Sequence, residues 1–253
     1  MTNFSRLLAS GLVGVILATS AQADTAQAAW AELTGKLGER EVFGYVENQS
    51  DLPNVLIYGD SISIGYTQGV RETLVDRANV YRIHLNGGFS ASFIAKFDRL
   101  ESTMRAVDLE DRWDFEWDVI HINVGLHDLK YVNDREKLDM ENGQLVATVQ
   151  EYMANLRGII AHLRETAPKA KLIFALTTKV PPGSNGRFEE SELSYNAAAR
   201  AVLADHPAIA ITDLRTVSLP YEQPGNVHFK PAGIAAQANH VAKVIASHLP
   251  PKR

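Results

Sequence analysis

Five short apolar runs, each followed by a long amphipathic stretch, confine this chain to one broad architecture. The runs are 54–58 (NVLIY), 79–85 (NVYRIHL), 118–124 (DVIHINV), 171–176 (KLIFAL) and 208–212 (AIAIT). Helical patterns cover 64–76, 92–104, 144–165, 189–205 and 231–249, and one more, 25–37, precedes the first run. Strands separated by helix-length segments cannot pair as tight hairpins. They pair in parallel, with the helices covering the sheet, so an α/β chain with a mainly parallel five-stranded sheet is expected.

The 253 residues suffice for one ample core, and no repeat, low-complexity tract or linker divides them. Residues 1–23 read as an export signal. Arg6 and the α-amino group make a weakly positive start, 7–19 is apolar or small, and Ala21 and Ala23 form a small-residue cleavage site. A single domain from Asp24 to Arg253, in the periplasm or outside the cell, is therefore expected. Cleavage moves the formal charge from -5 to -6. An acidic chain gains nothing electrostatically from nucleic acid or anionic membrane, and 24–253 has no apolar run long enough for a membrane span. With no cysteine, thiol catalysis, disulfides and Cys-ligated zinc are excluded. No spacing of His, Asp and Glu suggests a metal site, and no cofactor is expected.

Chemistry concentrates where the runs end. Tyr58-Gly59-Asp60-Ser61-Ile62 closes the first run, so Ser61 sits at a strand-to-helix turn. There its own N–H would be unpaired at a helix N-terminus, which favours developing negative charge. Gly59 frees the turn, and Asp60 orders it. Asn86-Gly87-Gly88 follows the second run, and Gly125-Leu126-His127-Asp128 follows the third. Gly225-Asn226-Val227-His228-Phe229 precedes the last helix. A parallel sheet would gather the first three groups at one edge.

These four blocks resemble the SGNH hydrolases, a branch of the GDSL-type lipases and esterases, across nearly the whole chain from Val55 onward. The resemblance implies a flavodoxin-like three-layer α/β/α sandwich. It implies Ser61 as nucleophile, His228 as general base and acid, and Gly88 as an oxyanion-hole donor beside the Ser61 N–H. No Gly-x-Ser-x-Gly elbow points to the α/β-hydrolase alternative.

Two positions depart from the family pattern. The third block normally carries asparagine where this chain has His127; a neutral imidazole keeps one N–H, so His127 is expected to complete the oxyanion hole. The last block normally carries aspartate three residues before the histidine, where this chain has Gly225. Glu222, Asn226 or a main-chain carbonyl could orient His228 instead, and a non-carboxylate acceptor is expected over Glu222.

Of the other histidines, His84 and His121 read as core residues, and His162, His206, His240 and His248 as solvent-facing. Trp113, Phe115 and Trp117 read as packing rather than a sugar platform. The loops 130–143 and 177–187 are candidate substrate walls. The expected activity is hydrolysis of small O-acyl esters through an acyl-serine intermediate, with an O-acetylated carbohydrate as first substrate. Two alternatives are a lipid or thioester hydrolase and a degenerate glycan-binding protein.

Overall fold

A computed structural model describes residues 25–251; the expected export signal therefore lies outside the described residues. Helix α1 (Ala26–Thr34) starts where the Thr25 hydroxyl accepts from the Ala28 N–H. It ends at Gly35, at φ 52°, and continues as a 3-10 turn over Gly35–Glu39, which replaces the end of the helix expected over 25–37.

Strand β1 (Asn54–Gly59), helix α2 (Ser61–Thr73), strand β2 (Asn79–Arg82), helix α3 (Phe93–Met104) and strand β3 (Val119–Asn123) follow in turn. Next come the two-residue strands β4 (Tyr131–Val132) and β5 (Gln144–Leu145), helix α4 (Val149–Thr166), strand β6 (Lys171–Ala175) and helix α5 (Glu192–Ala204). Strand β7 (Ala210–Thr212), the short helix α6 (Leu214–Ser218) and helix α7 (Pro231–His248) complete the order. Strands β2-β1-β3-β6-β7 form one parallel sheet, with Gly59 opposite Asn123 and Ile57 opposite His121. Every residue of β1 and β3 is buried, as expected for strands covered on both faces.

Two helix boundaries differ instructively from the sequence reading. Helix α2 begins at Ser61 rather than at 64, because the Asp60 carboxylate caps it. Helix α4 begins at Val149 rather than at 144. Thr148 and Glu151 form a capping box there, and Gln144–Leu145 instead pairs antiparallel with Tyr131–Val132. The expected charged loop 130–143 is thus the tip of a small hairpin. Trp113, Phe115 and Trp117 are buried, with ring centroids 4.9, 5.2 and 5.4 Å from that of Tyr81.

Helices α2 and α7 pack together on one face, while α1, α3, α4 and α5 adjoin one another on the other. The close approach of α2 to α7 rests on a glycine: a Cβ on Gly69 would lie 2.8 Å from that of Ala238. One turn earlier, Gly65 faces Ile234. Because α7 starts just after His228, this packing carries the histidine to the start of α2. Among the described residues, no helix is long and apolar enough to cross a membrane.

Candidate active site

The order β2-β1-β3 means that the chain leaves β1 toward one edge of the sheet and returns to extend it on the other. At such a switch point the loops diverge and leave a crevice beyond the carboxyl ends of the strands. Ser61 follows β1 there, and His127 follows β3. Gly59 permits the tight exit: a Cβ would lie 2.9 Å from both Asn123 O and Ser63 Cβ. The Asp60 carboxylate accepts from the Ile62 N–H at 2.9 Å, and burial pushes its pKa up to about 6. Ser61 is the first helical residue, and its N–H has no acceptor among the described residues.

His228 Nε2 lies 2.9 Å from Ser61 Oγ. Asn226 Oδ1 sits 3.2 Å from His228 Nδ1 and also accepts the His228 main-chain N–H at 2.9 Å. Nδ1 therefore carries the proton, and Nε2 turns a lone pair toward the serine hydroxyl. Glu222 is turned away, its carboxylate 3.1 Å from Lys179 Nζ. Gly225 has φ 73° and donates its N–H to Pro182 O at 2.8 Å, so the family's aspartate position is here a left-handed turn residue. Desolvation of the ring and then the charge of Arg187 lower the His228 pKa below its usual value.

Gly88 has φ 70°, and its N–H donates to Asn86 Oδ1 at 2.9 Å. That donor is engaged in the free protein and reaches an oxyanion only by sharing or releasing the Asn86 amide. Lys96 Nζ holds the same turn through Asn86 O at 3.1 Å and Gly87 O at 2.9 Å. Asp128 accepts from the Ser90 N–H and hydroxyl, tying the turn after β2 to the turn after β3. His127 is half-buried, with Nδ1 3.4 Å from Lys130 Nζ. Burial, followed by the charges of Lys130, Arg187, Lys96 and His228, pushes its pKa to about 3. Arg187 Nε donates to Leu126 O at 3.0 Å and braces this turn from behind.

Ser61, His228, Asn86, Arg40 and the apolar side chains of Ile64, Phe229 and Ile234 line a cleft of about 390 Å³. Lys96, Lys130 and Arg187 escaped the sequence reading, because their contacts to Asn86 and Gly87, to His127 and to Leu126 depend on how the turns fold; Asn86 stood inside a quoted block, with its bond to the Gly88 N–H hidden. Asp128 stood inside a motif, and only its partner was hidden.

His84 and His121 are core residues, buried with their pKa pushed to about 4 and about 3 by burial. The other four depart from the solvent-facing expectation, since all are half-buried. His162 Nε2 meets Asp98 Oδ1 at 2.6 Å, and His240 Nε2 meets Thr212 Oγ1 at 2.6 Å. Among the described residues no group of three or more His, Asp or Glu could hold a metal ion.

Comparison with known proteins adds three findings. The model of the GDSL-like Lipase/Acylhydrolase family matches residues 57–236. No curated protein matches by sequence. Among solved structures, the carbohydrate esterase family 2 enzyme with a carbohydrate binding domain from Corynascus thermopiles (Myceliophthora fergusii) has 14% identity and a TM-score of 0.56. That match covers 81% of this chain and 68% of the enzyme. The acetylxylan esterase Axe2 from Geobacillus stearothermophilus has 15% identity and a TM-score of 0.54, covering 76% of this chain and 94% of its own. At these identities the structures establish a shared α/β fold.

Proposed function

The chain belongs to the GDSL-like lipase/acylhydrolase family, and from that premise we propose that it is a serine esterase with Ser61 as nucleophile and His228 as its base. The observation that carries this reading is the 2.9 Å contact between Ser61 Oγ and His228 Nε2 at the switch point of the sheet. His228 takes the hydroxyl proton as Ser61 Oγ attacks the ester carbonyl carbon. The Ser61 N–H, the Gly88 N–H and the His127 ring N–H stabilise the oxyanion. His228 then passes the proton to the leaving alcohol oxygen as the C–O bond breaks, leaving an acyl-serine. A water molecule deprotonated by His228 attacks that ester and releases the carboxylic acid and free Ser61. Asn226 Oδ1 takes the orienting position that aspartate holds in a Ser-His-Asp triad.

The favoured substrate is a small O-acyl ester, an O-acetylated carbohydrate first. The acetylxylan esterase named above supports that choice by fold, as does an open cleft with polar groups among its apolar walls. Ser61→Ala tests the reaction: ester hydrolysis should vanish while the fold persists, and a fluorophosphonate should add to Ser61 of the parent protein alone. Full turnover in the alanine variant sinks the reading. Export belongs to the same proposal; mass spectrometry of protein from the cell exterior or periplasm should show Asp24 first, and a chain starting near Met1 would contradict it.

A further inference from the structure

A histidine in place of the family's asparagine poses a chemical problem. The asparagine amide always presents N–H bonds, whereas a neutral imidazole has one N–H and one lone pair. Which of them faces the reacting carbonyl depends on the tautomer. With the lone pair forward, His127 would repel an oxyanion instead of binding it.

We propose that Lys130 is a positioning residue that holds His127 in its Nε2–H tautomer, so that the ring presents a donor to the active site. Lys130 Nζ lies 3.4 Å from His127 Nδ1. An ammonium group has three donors and no acceptor, so the nitrogen facing it must bear the lone pair. The ring proton is thereby placed on Nε2. That nitrogen has no partner among the described residues and is not a sealed atom. By contrast, both ring nitrogens of His84 and His121 are buried without partners. His127 thus differs from the core histidines in having one nitrogen engaged and the other open.

Burial first, and then the positive charges around it, push the His127 pKa to about 3 and favour the neutral ring. Lys130 on the same turn, Lys96 on α3, Arg187 on the loop after β6 and His228 before α7 all oppose a positive His127. Burial and then the charge of Arg187 lower the Lys130 pKa from its usual value, and Glu136, Asp128 and Asp60 oppose that shift. The neutral Nε2–H form is therefore the working state across the pH range in which His228 acts as a base. The catalytic consequence rests on the serine-esterase reading; the tautomer does not.

Two measurements separate the two. In protein labelled with ¹⁵N-histidine, long-range ¹H–¹⁵N spectra should show His127 protonated at Nε2 and bare at Nδ1. Lys130→Met should shift the ring toward the Nδ1–H form and lower kcat on 4-nitrophenyl acetate about tenfold, with KM changed less than about twofold. Lys130→Arg, which retains donors and charge, should recover most of the loss. A wild-type ring protonated at Nδ1 overturns the assignment, and so does a methionine variant with tautomer or kcat unchanged. The wild-type spectrum decides the tautomer even if the methionine variant does not fold. If Ser61→Ala stays active, the esterase reading falls while the spectra still judge the tautomer.

Discussion

Replacing Asn226 by aspartate should turn the amide-oriented histidine into a carboxylate-oriented one. The acceptor oxygen already lies 3.2 Å from His228 Nδ1 and 2.9 Å from its main-chain nitrogen, so the carboxylate inherits both contacts. A unit negative charge about 4 Å from the ring charge is worth about 4 kcal/mol at a near-surface dielectric and about 1 kcal/mol in bulk water. Both residues are exposed, so screening favours the lower end and gives about one pKa unit. The parent His228 titrates below about 6.5, because desolvation and Arg187 disfavour its charged form. Its kcat/KM should therefore rise with pH through a limb centred below that value and then level off. In Asn226→Asp the limb should move up by about one unit and the plateau by about tenfold, since the imidazolium formed in the transition state is stabilised equally. Below the limb the two curves should merge, the stronger base being matched by its smaller deprotonated fraction. Initial rates on 4-nitrophenyl acetate from about pH 4.5 to 8.5 cover the range that contains an unperturbed histidine. An unmoved limb with an unchanged plateau would refute the role given to Asn226.

Three further outcomes follow from the same geometry. His127→Ala should lower kcat about 10²–10³-fold with little change in KM, and His127→Asn should restore part of it; an alanine variant with parental kcat would reduce the ring to packing. Glu222→Gln should alter turnover less than about threefold, because the carboxylate pairs with Lys179 rather than His228; a loss of several hundred-fold would make it the triad acid. Gly225→Ala should destabilise by about 1–2 kcal/mol in chemical denaturation, since its φ of 73° disfavours a Cβ. A denaturation midpoint equal to the parent's would show that the turn relaxes freely.

Local pattern decided the order of strands and helices and the serine and histidine blocks, because period, apolar runs and strand-end motifs are properties of neighbouring residues. Ser61, at the end of β1, was legible for that reason. So was the parallel sheet, since helix-length segments between strands leave no room for hairpin pairing. The family resemblance also marked Gly225 as a departure. It could not reveal that the left-handed backbone at Gly225 sends its N–H to Pro182, which disfavours an aspartate side chain there. The sequence favoured a non-carboxylate acceptor over Glu222 but could not choose Asn226 over a main-chain carbonyl, nor show that Lys179, 43 residues from Glu222, draws that carboxylate away. The Gly88 N–H held by Asn86 and the Lys130 ammonium set against His127 belong to the same class. Hydrogen-bond direction and charge depend on where side chains end in space, and only packing of α7 on α2 and closure of the turns around the switch point set those positions.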